Sequence, residues 1–346
     1  MDIKFGNNIP VPTPKLDLMF EAAQKAEDCG FESLWFADHL SMIPAVGTCY
    51  EAFTFLTALA LKTRKAKLCS AVSDPHRRHP ALMAQTLATL DVLSNGRAMF
   101  GIGAGEAMNL DMYGFDKSKP VTKMEQYIEI MRLLWKEDKV TYQSEFYSLK
   151  DAFLQVKPVQ ESIPIYIAGN GPRTRRLTGR IGDGWFPLYE SPKLYEKHLK
   201  EVEKGAKETG RSIEEIDTVY FCYTAIADDF ETALDRVKNF KVNYLTAPQK
   251  LNEAYGLNLP EELSLFHFTG SERDIATIGK YLNEVPDSVN ADFNIIGTLD
   301  QVMDQIEAYI KAGVRHFSLL NRGPDPNKVY EIYRDKIIPY FKEQYK

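Results

Sequence analysis

The chain lacks the features that staple a protein or anchor it from outside. Only 4 of its 346 residues are cysteine, and none stands in a C-x-x-C pair. Cys29, Cys49, Cys69 and Cys222 each lie in an apolar stretch, which reads as reduced, mostly buried thiols rather than a disulfide scaffold. No H-E-x-x-H pattern and no Cys/His cluster offers a metal site. Apolar runs fall well short of the ~18 residues that span a bilayer. No charged-then-apolar leader is visible, because Asp2 and Lys4 run straight into a strand-like segment; a cytoplasmic location is the expectation. A basic excess is missing too. The 42 Lys and Arg against 48 Asp and Glu leave a net charge of −6, which argues against a general nucleic-acid or membrane-surface binder. With 44% hydrophobic and 26% charged residues, disorder is excluded.

What is present is alternation. Eight short β-type runs are separated by stretches with helical period: 3–8, 33–37, 67–72, 97–103, 163–168, 184–187, 217–226 and 315–320. Helices are expected at 14–29, 51–62, 80–93, 122–135, 171–180, 192–209, 229–240, 298–312 and 326–344, several marked by proline at their first turn or glycine after their last. Alternation of this kind implies parallel strands with right-handed crossovers. An open doubly wound sheet would carry a G-x-G-x-x-G turn after the first strand. Here Asn7-Asn8-Ile9-Pro10 follows, so the reading is a (β/α)8 TIM barrel over residues 1–346. Two stretches break the rhythm, a β-rich excursion at 140–160 and the Asn-, Pro-, Glu- and Tyr-rich segment 241–290.

Barrel chemistry sits at the carboxyl ends of the strands, which selects the residues to weigh. The second strand ends in Ala37-Asp38-His39, an imidazole able to exchange protons near neutrality beside a carboxylate; the plainer reading is a capping Asp and a surface His. The third ends in Ser70-Ala71-Val72-Ser73, ordinary turn chemistry unless a planar ring approaches it, and His76-Arg77-Arg78-His79 beyond reads as a solvated basic loop or an anion site. The fourth runs into Gly101-Ile102-Gly103-Ala104-Gly105-Glu106 and on to Asn109, where glycines admit a ligand close to the backbone. The fifth ends in Ala168-Gly169-Asn170-Gly171-Pro172, a turn that opens a helix and so a ready phosphate cradle. Tyr244, Tyr255, His267 and Phe268 either line a pocket under 241–290 or pack that segment.

Together the segments GFESLWFADH (30–39), HPALMAQTLATLDVLSNGRAMFGIGAGEAMN (79–109), IPIYIAGNGP (163–172) and GRIGDGW (179–185) resemble the bacterial-luciferase-like superfamily of flavin- and deazaflavin-dependent oxidoreductases. GIGAGEAMN and the Asp-His pair are similar to the branch that uses coenzyme F420, which includes methylenetetrahydromethanopterin reductase and F420-dependent alcohol and glucose-6-phosphate dehydrogenases. The resemblance implies an insertion over the barrel mouth, here 241–290, a homodimer, and a non-prolyl cis peptide at Ala71–Val72 pressing on the deazaflavin ring. Carried over by position, Asp38 and His39 lie beside the ring and the substrate, with Ala71, Val72, Ser73 and Ala168 around the cofactor. Glu106 and Asn109 contact it or handle a proton, and Gly169, Asn170 and Gly171 hold its phosphate. The chain departs from the sugar-phosphate enzymes at Ile43, where they have Trp, and at Tyr189-Glu190-Ser191, where Glu190 would repel a phosphate. It departs from the methanopterin reductases at Asn7-Asn8 and Glu106.

The expected activity is hydride transfer between deazaflavin C5 and a carbon of a small substrate, either a methylene-pterin or an alcohol or ketone, with His39 or Glu106 managing one proton. Two readings compete with it: an FMN-dependent, oxygen-using monooxygenase, and a binding protein that has lost its chemistry.

Overall fold

The computed structural model describes residues 2–10, 15–42 and 48–346. Its strands are β1 (Lys4–Asn8), β2 (Ser33–Phe36), β3 (Lys67–Ser70), β4 (Ala98–Ile102), β5 (Val140–Gln143), β6 (Ser148–Ala152), β7 (Ile165–Ile167), β8 (Gly184–Trp185), β9 (Asp217–Ile226), β10 (Ile295–Gly297) and β11 (His316–Asn321). Eight of them close into a parallel ring in the order β1-β2-β3-β4-β7-β8-β9-β11, since β11 pairs with β1 and β8 with β9. The fold is therefore the (β/α)8 barrel. The eight ring strands are the eight runs that alternation had marked.

Two strands lie outside the ring. The excursion at 140–160 is the antiparallel hairpin β5–β6. The three-residue β10 pairs with the far end of β9, Ile295 opposite Thr224, beyond the rim. Helices begin where proline or a side-chain cap permits: Ser191 accepts from the Leu194 amide before Pro192–Glu208, and Thr298 forms a capping box with Gln301 before Leu299–Lys311. Two expected helices are interrupted. The one at 229–240 stops at Asp235, and the last is broken by a wide turn over Tyr333–Ile337. Cys29, Cys69 and Cys222 are buried and Cys49 is half-buried. The Ile43 departure lies outside the described residues.

The lumen is filled, not hollow. Trp35, Cys69, Met99, Tyr166, Phe186 and Val219 point inward and pack together, with Phe186 stacked on Trp35 at 5.0 Å. Gly6 makes room for them: a Cβ there would stand 2.5 Å from Trp35 Nε1. Beneath, Trp35 Nε1 donates to Ser33 Oγ, which meets His316 Nε2 at 2.7 Å, while His316 Nδ1 meets Asp217 at 2.8 Å. Burial works against the Asp217 carboxylate, yet His316, Lys4 and Tyr166 keep it ionised far below the usual aspartate range. The order serine–histidine–aspartate is that of a hydrolytic triad, but Ser33 is 1% exposed and walled in by Trp35. It is a polar floor, and it confines ligands to the upper half of the barrel.

Candidate active site

A cavity of about 880 Å³ opens at the carboxyl ends of the strands. Its lining brings together Asp38 and His39 after β2, Val72 and Ser73 after β3, Glu106 and Asn109 after β4, and Ala168, Asn170 and Gly171 after β7. Nine of the eleven residues singled out by sequence thus share one wall. Ala71 and Gly169 stand behind it. Ala71 packs on the lumen cluster, and the Gly169 carbonyl accepts the indole N–H of Trp185 at 2.9 Å.

Asn109 organises the acid–base corner. Its Oδ1 accepts the backbone N–H groups of Leu40 (2.8 Å) and Ser41 (3.2 Å). That fixes the amide's orientation, because two donors cannot face its nitrogen. Its Nδ2 therefore points to His39 Nδ1, 2.8 Å away, and to Glu106 Oε2 at 3.2 Å. His39 Nδ1 and Glu106 Oε2 are 3.5 Å apart. With Asn109 donating to it, Nδ1 of a neutral imidazole is the acceptor, and the single ring proton sits on Nε2.

Asp38 has a different setting. Its Oδ2 accepts from Ser73 Oγ (2.7 Å), Arg77 Nη2 (2.8 Å) and Arg78 Nη1 (2.7 Å), and its side chain is 2% exposed. Burial alone would raise its pKa; Arg77 and Arg78 overcome burial and hold it below the usual value. The basic stretch 76–79 is thus neither a solvated loop nor an open anion site. Arg77 also grips Asp74, and Arg78 reaches Glu51 at 2.7 Å. Their part in the site had no direct sequence signal, because Asp38 stands 39 and 40 residues before them and its burial is known only from the fold.

The rim after β4 comes close to its neighbours. A Cβ on Gly103 would lie 3.0 Å from Val72 Cγ2 and 3.3 Å from Ala168 Cβ. The Ala71–Val72 peptide is cis. Beyond Ala168, Gly171 caps the helix Pro172–Ile181, and the Asn170 carbonyl is held by Arg175 Nη2 at 2.6 Å.

The remaining wall comes from 241–290 and the helix Pro192–Glu208, which contribute Thr246, Lys250, Glu253, Ser264, Leu265 and His198, among others. Glu190 does not face the cavity as a bare carboxylate. It is fully buried, bonded to Lys250 Nζ and to His198 Nδ1 at 2.9 Å, while His198 Nε2 reaches Glu253 at 3.0 Å. This cluster left no sequence signal, since Glu190 and Lys250 stand 60 residues apart. Tyr244 and Phe268 pack a second apolar core with Leu245, Leu251 and Phe293, and Tyr255 borders a separate cavity of about 360 Å³. Among the described residues no group of acidic, His or Cys side chains could hold a metal, and no helix is long and apolar enough to cross a membrane.

A filled parallel barrel whose mouth combines a held histidine, a glycine-lined shelf and a helix start is the architecture of the luciferase-like monooxygenase family. Residues 3–316 match that family, and the chain belongs to it. Among its relatives, the 5,10-methylenetetrahydromethanopterin reductase of Archaeoglobus fulgidus is 31% identical, over 98% of this chain and 100% of that one. The F420-dependent glucose-6-phosphate dehydrogenase of Microbacterium testaceum is 30% identical over 92% of each. A solved F420-dependent secondary alcohol dehydrogenase, in complex with an F420–acetone adduct, superposes with a TM-score of 0.83 at 25% identity, covering 97% of this chain and 98% of that one.

Proposed function

We propose that this protein is a coenzyme F420-dependent oxidoreductase that moves a hydride between the deazaflavin and a carbon of a small substrate. The observation that carries the reading is the His39–Asn109–Glu106 corner, set on the same cavity wall as the Val72–Gly103–Ala168 shelf and the start of the helix Pro172–Ile181. The residues fit such a cofactor. The shelf has space only because Gly103 has no side chain, the helix start offers free amides to a phosphate, and the buried Ser264 Oγ in the lining has no partner among the described residues.

When bound, the deazaflavin supplies the carbon that carries the hydride. The protein's share is positioning and one proton. Asn109 holds the neutral His39 as its Nε2–H tautomer, so toward a substrate His39 is a hydrogen-bond donor that polarises a carbonyl oxygen. Reduction of that carbonyl takes a proton from the imidazolium form, which returns to the neutral Nε2 acceptor as the oxygen is protonated, and the reverse reaction gives the proton back to the neutral ring. Glu106, bonded to the same Asn109 amide, is the adjacent carboxylate that supports a positive imidazole and serves a substrate whose proton leaves from nitrogen. Asp38 acts as a positioning residue: locked by two guanidiniums, it holds Ser73 and Arg77 against the end of β3. Segment 241–290 covers the mouth and shapes the substrate's half of the cavity. A homodimer and a cytoplasmic location belong to the same reading.

The test pairs binding with turnover. F420 is expected to bind with saturable quenching of its fluorescence, and FMN to bind at least tenfold more weakly. His39→Ala should lose about 10²–10⁴-fold in turnover with F420 affinity unchanged. Tighter binding of FMN than of F420 refutes the cofactor, and a His39→Ala enzyme at full speed refutes the proton role.

A further inference from the structure

The acid–base corner and the cover over the mouth meet in three consecutive residues. Ala107, Met108 and Asn109 belong to the short helix Ala107–Leu110, and all three are buried. Each makes a different tie. The Ala107 amide donates to the Leu265 carbonyl at 2.8 Å, Met108 packs into the second apolar core, and Asn109 holds His39 and Glu106. Among the described residues that core has two buried members from outside the cover, Met108 and Leu194; the other ten lie between Tyr244 and Phe293. Met108 is thus where the loop after β4 enters the core of segment 241–290.

The strap that Ala107 meets is itself pinned. The Leu265 amide donates to the Thr246 carbonyl at 2.9 Å. Lys117 Nζ donates to the Phe266 carbonyl at 2.5 Å, lies 4.5 Å from the centre of the Phe266 ring and pairs with Asp111 at 2.7 Å. Ser264, Leu265 and Phe266 line the cavity, so the strap is at once a wall of the site and the partner of Ala107. The cofactor shelf is built differently: Val72, Gly103 and Ala168 follow β3, β4 and β7 and approach one another directly.

Small displacements matter at the corner. Asn109 Nδ2 stands 2.8 Å from His39 Nδ1, and a hydrogen bond is lost by about 3.5 Å. A shift of about 0.7 Å in residues 107–109 therefore releases the imidazole to take its other tautomer. The amides of Leu40 and Ser41 brace the Asn109 side chain, but its backbone is carried by Ala107 and Met108.

We infer that Met108 is a positioning residue: the seating of 241–290 on it fixes Asn109 and, through Asn109, the Nε2–H tautomer of His39. The cover therefore completes the proton-handling corner, whereas the cofactor shelf is complete without it. The inference rests on the oxidoreductase reading for what the held proton is used for.

The full chain, carrying ¹⁵N in its histidine rings, is measured with and without F420 at about pH 8.5, where an ordinary imidazole is neutral. The chain has 6 histidines, and the signals lost in His39→Gln assign that ring. Native His39 should show a protonated Nε2 and a bare Nδ1. Met108→Ala trims the link itself. Leu251→Ala loosens the same core from the helix Pro248–Tyr255, leaving residues 107–109 as they are. Both should quicken proteolytic cleavage within 241–290 by about tenfold or more, and draw the two His39 ring shifts together as tautomers mix. Met108→Leu should restore the native pattern, and F420 affinity should stay native in all three variants. An unmixed His39 in Leu251→Ala despite faster cleavage overturns the inference, because a purely local role of Met108 would leave that variant untouched. Cleavage at the native rate in both alanine variants overturns it as well, and so does a native His39 whose tautomers are already mixed. Should Met108→Ala fail to fold, Leu251→Ala carries the comparison. If F420 does not bind the native chain, the cofactor reading falls while the ring signals still test the link.

Discussion

Lys250 gives the sharpest test of how the segment 241–290 is held down. Its ammonium, on the helix Pro248–Tyr255, meets the Glu190 carboxylate in the turn after β8; the two side chains are 4% and 0% exposed. Lys250→Met keeps the length and apolar stem of the side chain and deletes the charge, leaving Glu190 buried with only His198 beside it. Stranding one member of a buried ion pair costs about 3–5 kcal/mol. For a chain of 346 residues the unfolding entropy near the midpoint is about 0.7 kcal/mol per degree, so the melting temperature should fall by about 4–7 °C. The double variant Glu190→Gln/Lys250→Met removes both charges and should recover most of that loss, to within about 1.5 kcal/mol of the native protein. Calorimetry on the two variants reads the melting shift. Limited proteolysis reads where the structure loosens, and cleavage should appear first within 241–290. A single variant that melts within a degree of the native protein would show that the pair does not hold the segment, and so would a double variant no better than the single.

Two further predictions follow from the cavity wall. Gly103→Ala places a methyl group 3.0 Å from Val72 and 3.3 Å from Ala168; F420 affinity should drop at least tenfold while circular dichroism stays native, and unchanged affinity would remove the shelf from the cofactor site. Asp38→Asn should destabilise the protein most at neutral pH. The native carboxylate titrates below its unfolded value, so its contribution is fully present above about pH 4 and disappears as pH falls through the native pKa. Urea unfolding at pH 7 and pH 3 should therefore show the gap between native and variant narrowing in acid; a gap that widens there would contradict the assignment.

The barrel was legible because parallel strands buried on both faces leave short, dense apolar runs, and each ring strand carries one. The site was legible where strand ends are punctuated by polar residues, as at Asp38-His39 and Gly101 to Glu106. What sequence could not give depends on distance along the chain. β10 has three residues and pairs beyond the rim, so no period could mark it. Glu190 seemed an obstacle to anions because Lys250 and His198 are brought to it only by folding. Arg77 and Arg78 read as loop charge because Asp38 lies 39 and 40 residues earlier.

The length of β9 has one more consequence. At ten residues it is twice as long as β1 or β4, with β8 on its first two residues and β10 on its last three. Read through β11, Lys4 lies level with Val219 and Asn7 with Cys222, so β9 runs three residues past the end of β1, roughly 10 Å at about 3.3 Å per residue. The bowl therefore has a raised back and a low front lip formed by the ends of β2, β3 and β4. One side of the mouth is thus built of sheet, and the opposite side of the loops after β2, β3 and β4, which carry Asp38, His39, Val72, Ser73, Glu106 and Asn109.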